Sequence, residues 1–224
     1  MTNTEKPKLN TPIVLVVAGV IILGTIFYLN DKNATSSANV DSQEAAISSL
    51  WDENNIKNDG THVRGNPDAD ILITEYSDTQ CPYCGRFHNT MQQLMETYSK
   101  DGKIAWQYKN FPLDSIHPTA RSEAQAVECA AEVGGNEAYW KYLDTIVEGT
   151  VGKNVIKVAE HIGLDTESFK TCVDNDTFAN VVESHVQEGL ALGIRGVPYS
   201  VLKTKNGLEV VIPGAYPYEF LELI

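Results

Sequence analysis

The spacing of apolar side chains changes character several times along this chain, and each change predicts a different element. From Pro12 to Leu29 the sequence is uncharged and apolar nearly throughout. At about 1.5 Å per residue such a helix is roughly 27 Å long, close to the roughly 30 Å of a bilayer core, so residues 12–29 are expected to be a single transmembrane anchor. Lys6 and Lys8 precede it, which puts residues 1–11 in the cytoplasm and the rest on the periplasmic or extracellular face of the cell membrane. The alternative is a signal peptide cleaved near Ser36-Ser37-Ala38, and a secreted product. Residues 30–61 are mostly Asn, Asp, Ser, Ala and Lys, the composition of a linker.

Beyond the linker the pattern becomes that of a folded domain, residues 62–224. Ile71 to Tyr76 is rich in the β-branched and aromatic residues of a buried strand, and Ser77 to Gln80 is polar and turn-like. From Pro82 to Ser99 the side chains of Phe87, Met91, Leu94, Met95 and Tyr98 recur every three or four residues, which makes one apolar helical face. Ile104, Trp106 and Tyr108 then alternate with Ala105, Gln107 and Lys109, a second strand. Between Pro118 and Leu192 every periodic segment predicts helix: Pro118 to Val133, Asn136 to Glu148, Val155 to Ile162, Thr166 to Val173 and Thr177 to Leu192. Tyr199 to Thr204 and Leu208 to Ile212 are β-prone runs joined through Asn206-Gly207, a hairpin signal, and Pro217 to Glu222 closes as a short helix. Strands split by a helical block in this order predict an α/β fold with a mixed sheet covered on both faces.

Composition narrows the function. Roughly 160 residues are enough for one domain with its own core. A formal net charge of −13 opposes a nucleic-acid partner, because a phosphate backbone attracts basic patches. No glycine loop suited to phosphate is present; Gly134-Gly135 and Gly193 read as helix C-terminal punctuation.

The candidate chemistry is Cys81-Pro82-Tyr83-Cys84. Pro82 suits the first helical position, where its missing N–H costs nothing, so Cys81 falls at a helix N-terminus. Unpaired N–H groups and the positive dipole end there favour a thiolate, the attacking species in disulfide exchange. Cys84, one turn further in, is placed to resolve a mixed disulfide formed on Cys81. The alternatives are an inert bridge or half a zinc site completed by His88, but no second Cys or His pair stands at matching spacing, and no metal is expected. His88 is expected on the helix surface, His117-Pro118 at a helix start, and His161 and His185 as ordinary helix residues. Tyr139, Trp140 and Tyr142 are expected in the core of the helical block. Cys129 and Cys172 either form a structural disulfide, which an oxidising compartment and an even cysteine count favour, or are two buried thiols.

On these residues the chain resembles the DsbA-like branch of the thioredoxin superfamily, from about Val63 to the C-terminus. Gly65-Asn66-Pro67-Asp68-Ala69 matches the approach to the first family strand, Cys81-Pro82-Tyr83-Cys84 the redox motif, and Arg195-Gly196-Val197-Pro198 the partner loop. The resemblance implies a thioredoxin fold with a helical insertion at about 115–192. It also implies a cis Pro198 beside the redox pair. Gly196 and Val197 would then pair with an extended substrate like an added strand, and Pro82 and Tyr83 would contact it. Glu75, six residues before Cys81, would be a buried acid that assists proton movement from Cys84; the residue alone is equally an acid without a role. The implied activity is extracytoplasmic thiol:disulfide exchange, with the Cys81-Cys84 disulfide donated to exported proteins. A quinone-linked membrane partner of the DsbB or VKOR kind would reoxidise it, and no metal, flavin or nucleotide is implied. The rivals are a reductase or isomerase of the same fold, and a non-catalytic peptide-binding module with an inert disulfide. Family isomerases carry a separate dimerisation domain, for which residues 30–60 are too short and polar, so a monomer is expected.

Overall fold

Residues 62–224 are described by the computed structural model of the chain. The anchor expected at 12–29 and the linker at 30–61 lie outside them, and among the described residues no helix is long and apolar enough to cross a membrane. The strands are β1 (Val63–Gly65), β2 (Ile71–Ser77), β3 (Ile104–Asn110), β4 (Tyr199–Thr204) and β5 (Glu209–Pro213). They form one sheet in the order β1-β3-β2-β4-β5. β2 runs parallel to β3, with Ile73 opposite Trp106 and Glu75 opposite Tyr108. The β1–β3, β2–β4 and β4–β5 pairs are antiparallel. Parallel β2 and β3 need a crossover, and helix α1 (Pro82–Tyr98) supplies it.

Burial follows the periodicity of the sequence. The predicted stripe of α1 puts Phe87, Met91, Leu94 and Met95 against Ile73, Trp106, Leu202 and Ile212 of the sheet in one core cluster. The helical insertion between β3 and β4 comprises α2 (Ala120–Glu148), α3 (Val155–Ile162), α4 (Thr166–Asp174) and α5 (Ala179–Ala191). α2 is two helices in effect, because Gly135 breaks it at φ 73° and ψ −170°, the position at which the sequence pattern divides them. Its second half reaches the sheet through Trp140, whose ring lies 4.8 Å from that of Trp106. Tyr139, Trp140 and Tyr142 are buried, as expected. On the other sheet face Tyr76 and Lys109 both donate to Glu188 of α5. A Cβ on Gly189 would stand 2.7 Å from the Phe111 ring, so the absence of a side chain there lets α5 close on the sheet. The last helix, α6 (Tyr218–Leu221), seals the core with Leu221.

β1 was not expected, since three residues are too few for a period. It is held by α2: Asn136 Nδ2 donates to the Val63 carbonyl at 2.9 Å, and Arg64 pairs with Asp144 at 2.6 Å. Gly65 ends it at φ +96°, where a Cβ would lie 2.9 Å from the Ile104 carbonyl.

Cys129 of α2 and Cys172 of α4 form a disulfide with Cα atoms 5.8 Å apart, so the reading as two separate thiols is not realised. A sequence separation of 43 makes the loop it closes worth about 4 kcal/mol of unfolded-state entropy. Cys129→Ala/Cys172→Ala should therefore lose about 2–5 kcal/mol in urea unfolding. A loss under about 1 kcal/mol would show that α4 is held by packing alone.

Candidate active site

The polar residues after β2 build the redox turn. Asp78 is buried and accepts three hydrogen bonds: from the Gln80 N–H at 2.7 Å, the Leu113 N–H at 2.7 Å and His117 Nδ1 at 2.9 Å. The Cys81 N–H donates to the Asp78 carbonyl at 3.1 Å. This leaves Cys81 as the N-cap of α1 in extended conformation (φ −72°, ψ 121°), with Pro82 next and no side-chain oxygen capping the helix. The N–H groups of Tyr83 and Cys84, unpaired within the helix, are free for the sulfur. Both Cys81 and Cys84 are thiols in this structure, and Cys84 is the more deeply buried.

These contacts separate the two acidities. The Cys84 thiol hydrogen-bonds to the Cys81 sulfur, and the Cys84 and Tyr83 N–H groups add to it. Against burial and the Asp78 charge, they bring the Cys81 pKa down to about 6. Burial, then the hydrogen bond to Cys81, pushes the Cys84 thiol far up. One sulfur is thus set to be an anion near neutral pH and its neighbour to keep its proton.

The loop before β4 closes the site. Val197-Pro198 is a cis peptide, and the Val197 carbonyl lies 3.9 Å from Cys81 Sγ. Pro198 is buried, Val197 half-buried and Gly196 exposed, and the β2–β4 ladder begins only at Tyr199. A depression of about 350 Å³ opens here between Gly196, Val197, Tyr199 and Pro213. Tyr83 is 60% exposed beside Cys81, with the Arg86 guanidinium 4.4 Å from its ring, and Pro82 is exposed. The structure therefore brings the motif and the Val197-Pro198 loop together from opposite ends of the domain.

Glu75 is fully buried on β2, where it accepts a hydrogen bond from Trp106 Nε1 at 3.0 Å. Burial raises its pKa to about 7, against the lowering effect of Ser77 and Trp106, and its charge acts on Cys84. His88 departs from expectation. It is 1% exposed instead of lying on the surface, with Nε2 2.8 Å from Asp144 and its ring against Trp106. The second half of α2 covers that side of α1, a packing that helix periodicity does not register. His185 is also buried, and its Nδ1 accepts from the Asn110 N–H. Asp78, Glu123 and Lys153 were missed as parts of the site. The only local signal was the polar run Asp78-Thr79-Gln80, which reads equally well as an exposed turn. Among the described residues no group of three His, Cys, Asp or Glu side chains could hold a metal ion.

Comparison with known proteins agrees with this geometry. A family profile described as Thioredoxin matches residues 57–206, about two thirds of the chain. The chain belongs to the thioredoxin family, with a helical insertion between β3 and β4. DsbA2 of Pseudomonas aeruginosa superposes with a TM-score of 0.61 at 22% identity, covering 73% of this chain and 91% of that one. A linker-deleted ScsC of Proteus mirabilis gives 0.68 at 19% identity, over 98% and 96% of the two chains. Among curated proteins, the Na(+)/H(+) antiporter NhaA 3 of Salinispora tropica is 28% identical over 143 residues, covering 62% of this chain and 21% of the antiporter. The chain thus spans about a fifth of the length of the curated relatives it matches.

A carboxyl raised from 4.5 to about 7 contributes stability that is full below pH 4.5 and is lost as pH rises through 7, because the unfolded chain ionises first. The shift corresponds to about 3 kcal/mol at most. Glu75→Gln has no such titration, so its stability relative to the parent should climb between pH 5 and 8 in urea unfolding of the reduced proteins. A constant difference across that range would mean that Glu75 titrates normally.

Proposed function

We propose that this protein is an extracytoplasmic thiol:disulfide oxidoreductase that donates its Cys81-Cys84 disulfide to exported proteins. The observation that carries the reading is the divided acidity of the pair: Cys81 held as a thiolate at the α1 N-terminus, Cys84 kept protonated behind it. A substrate thiolate attacks Cys81 Sγ, the Cys81–Cys84 bond breaks, and Cys84 departs and takes a proton, which Glu75 helps to deliver. A second substrate thiolate then attacks the substrate sulfur and releases Cys81 as a thiolate. Two electrons pass from the substrate thiols to the protein, and the substrate leaves with a disulfide. Because the reduced form is the stabilised one, the disulfide is oxidising.

The Gly196 and Val197 backbone, lying before the ladder and next to Cys81, suits an extended peptide added as a strand, with Tyr83 and Pro82 at its rim. The Cys129–Cys172 disulfide fits an oxidising compartment, and the apolar run 12–29 supports a membrane anchor. Turnover then requires a membrane oxidant, assigned to a quinone-linked DsbB- or VKOR-like partner, and the protein acts as a monomer.

The deciding measurement is equilibration of the Cys81 pair with glutathione. A donor should lie nearer the roughly −120 mV of strongly oxidising pairs than the roughly −270 mV of reducing ones, and a value at the reducing end would make this a reductase. The excess oxidising power should shrink as pH falls through about 6, where the Cys81 thiolate takes up its proton. Cys84→Ala should accumulate mixed disulfides with disulfide-bearing client peptides, because the Cys81 thiolate attacks the client disulfide, expels one client thiolate and is left with no neighbouring thiol to resolve the linkage. Cys81→Ala should not; equal trapping by both would contradict Cys81 as the attacking thiol.

A further inference from the structure

We propose that Lys153 is a positioning residue for Cys81: it is the point at which the helical insertion grips the redox turn and places a positive charge beside it. The inference rests on the reading of Cys81 as the attacking thiol. Lys153 lies on the connection from α2 to α3, 74 residues beyond Thr79 in sequence. Gly149 (φ 71°) and Gly152 (φ 78°) turn that connection back on itself, with the Gly152 N–H donating to the Gly149 carbonyl at 3.0 Å. The ammonium group is delivered between two carbonyls. It donates to Thr79 O at 2.8 Å and to Ile146 O. Ile146 lies in the last turn of α2, where carbonyls lack helical partners and the dipole favours a cation. Thr79 stands two residues before Cys81. One side chain therefore caps the insertion helix and fixes the turn that presents the sulfur.

Charge gives the placement a second consequence. The turn is also held by two buried carboxylates. Asp78 takes the three donors described above, and Glu123 accepts from Thr79 Oγ1 at 2.6 Å and from Gln80 Nε2 at 2.6 Å. Fixed negative charge this close opposes a thiolate, and the Asp78 charge does act to raise Cys81. His117 lies against Asp78, while Lys153 interacts with both Asp78 and Glu123, which oppose the lowering of its own pKa by burial. The carboxylates fix the backbone of the turn, and Lys153 offsets the electrostatic cost at the sulfur.

The test uses the full chain and three substitutions, with Cys81 ionisation followed by thiolate absorbance and by the pH dependence of alkylation. Lys153→Gln keeps donors for the carbonyls and loses the charge, Lys153→Met loses both, and Lys153→Arg keeps the charge. Gln and Met should raise the Cys81 pKa by about 0.5–1 unit and move the glutathione equilibrium about 3- to 10-fold toward the disulfide form, as expected for removal of one nearby charge. Arg should stay within about twofold of the parent. If Gln and Met lower the melting temperature but leave Cys81 acidity and the equilibrium unchanged, Lys153 is merely structural and the inference is overturned. If Met does not fold, Gln decides. An ordinary Cys81 pKa in the parent would instead sink the oxidoreductase reading itself.

Discussion

An anionic sulfur at the first turn of a helix is the interaction on which the rest of this molecule depends. Every α-helix begins with N–H groups that its own backbone cannot satisfy. In α1 no side-chain oxygen takes them; Cys81 occupies the cap position, and the Tyr83 and Cys84 N–H groups lower its pKa. Pro82 removes one competing donor and presets the backbone. The arrangement is useful only because Cys84, one turn on, is buried enough to keep its proton. A pair sharing one environment would have no preferred nucleophile.

The architecture around that pair divides the work between sheet and insertion. β2 ends at the redox turn and carries Glu75 beneath it, in a setting made by Trp106 and Ser77. β4 begins just after the Val197-Pro198 loop, which sets a backbone carbonyl beside Cys81. The insertion contributes from the other side: Glu123 near the start of α2 and Lys153 beyond its end both hold the turn. The Cys129–Cys172 bridge ties α2 to α4, so the element that bears Glu123 and precedes Lys153 is itself fixed. His88, Asp144 and Arg64 form a further, partly buried link between α1, α2 and β1. Together these groups set the backbone around the Cys81 sulfur and the charges near it.

Much of this was legible because it is local. The apolar stripe of α1, the alternation in β3 and the glycine break at 134–135 in α2 each follow from the spacing of a few neighbouring residues. So does Cys81 at a helix N-terminus, since a proline after a polar turn leaves few other readings. His88 was misplaced because a helix has as many buried faces as it has neighbours, and its second cover, α2, arrives from more than forty residues away. β1 escaped notice because it owes its existence to β3 and to side chains of α2, not to any pattern within its three residues.

The sequence by itself determined the Cys81-Pro82-Tyr83-Cys84 motif and the elements that carry it, because periodicity and chain punctuation act over a few residues. That the Val197-Pro198 loop faces the motif was implied by the family resemblance and placed by the tertiary structure. Only the tertiary structure decided which charges surround the sulfur. Whether Asp78, Glu123 and Lys153 meet, whether Glu75 is dry, and whether Cys129 reaches Cys172 depend on distances between segments far apart in the chain. Electrostatics follows those distances and the burial around them, and neither is written in the order of residues.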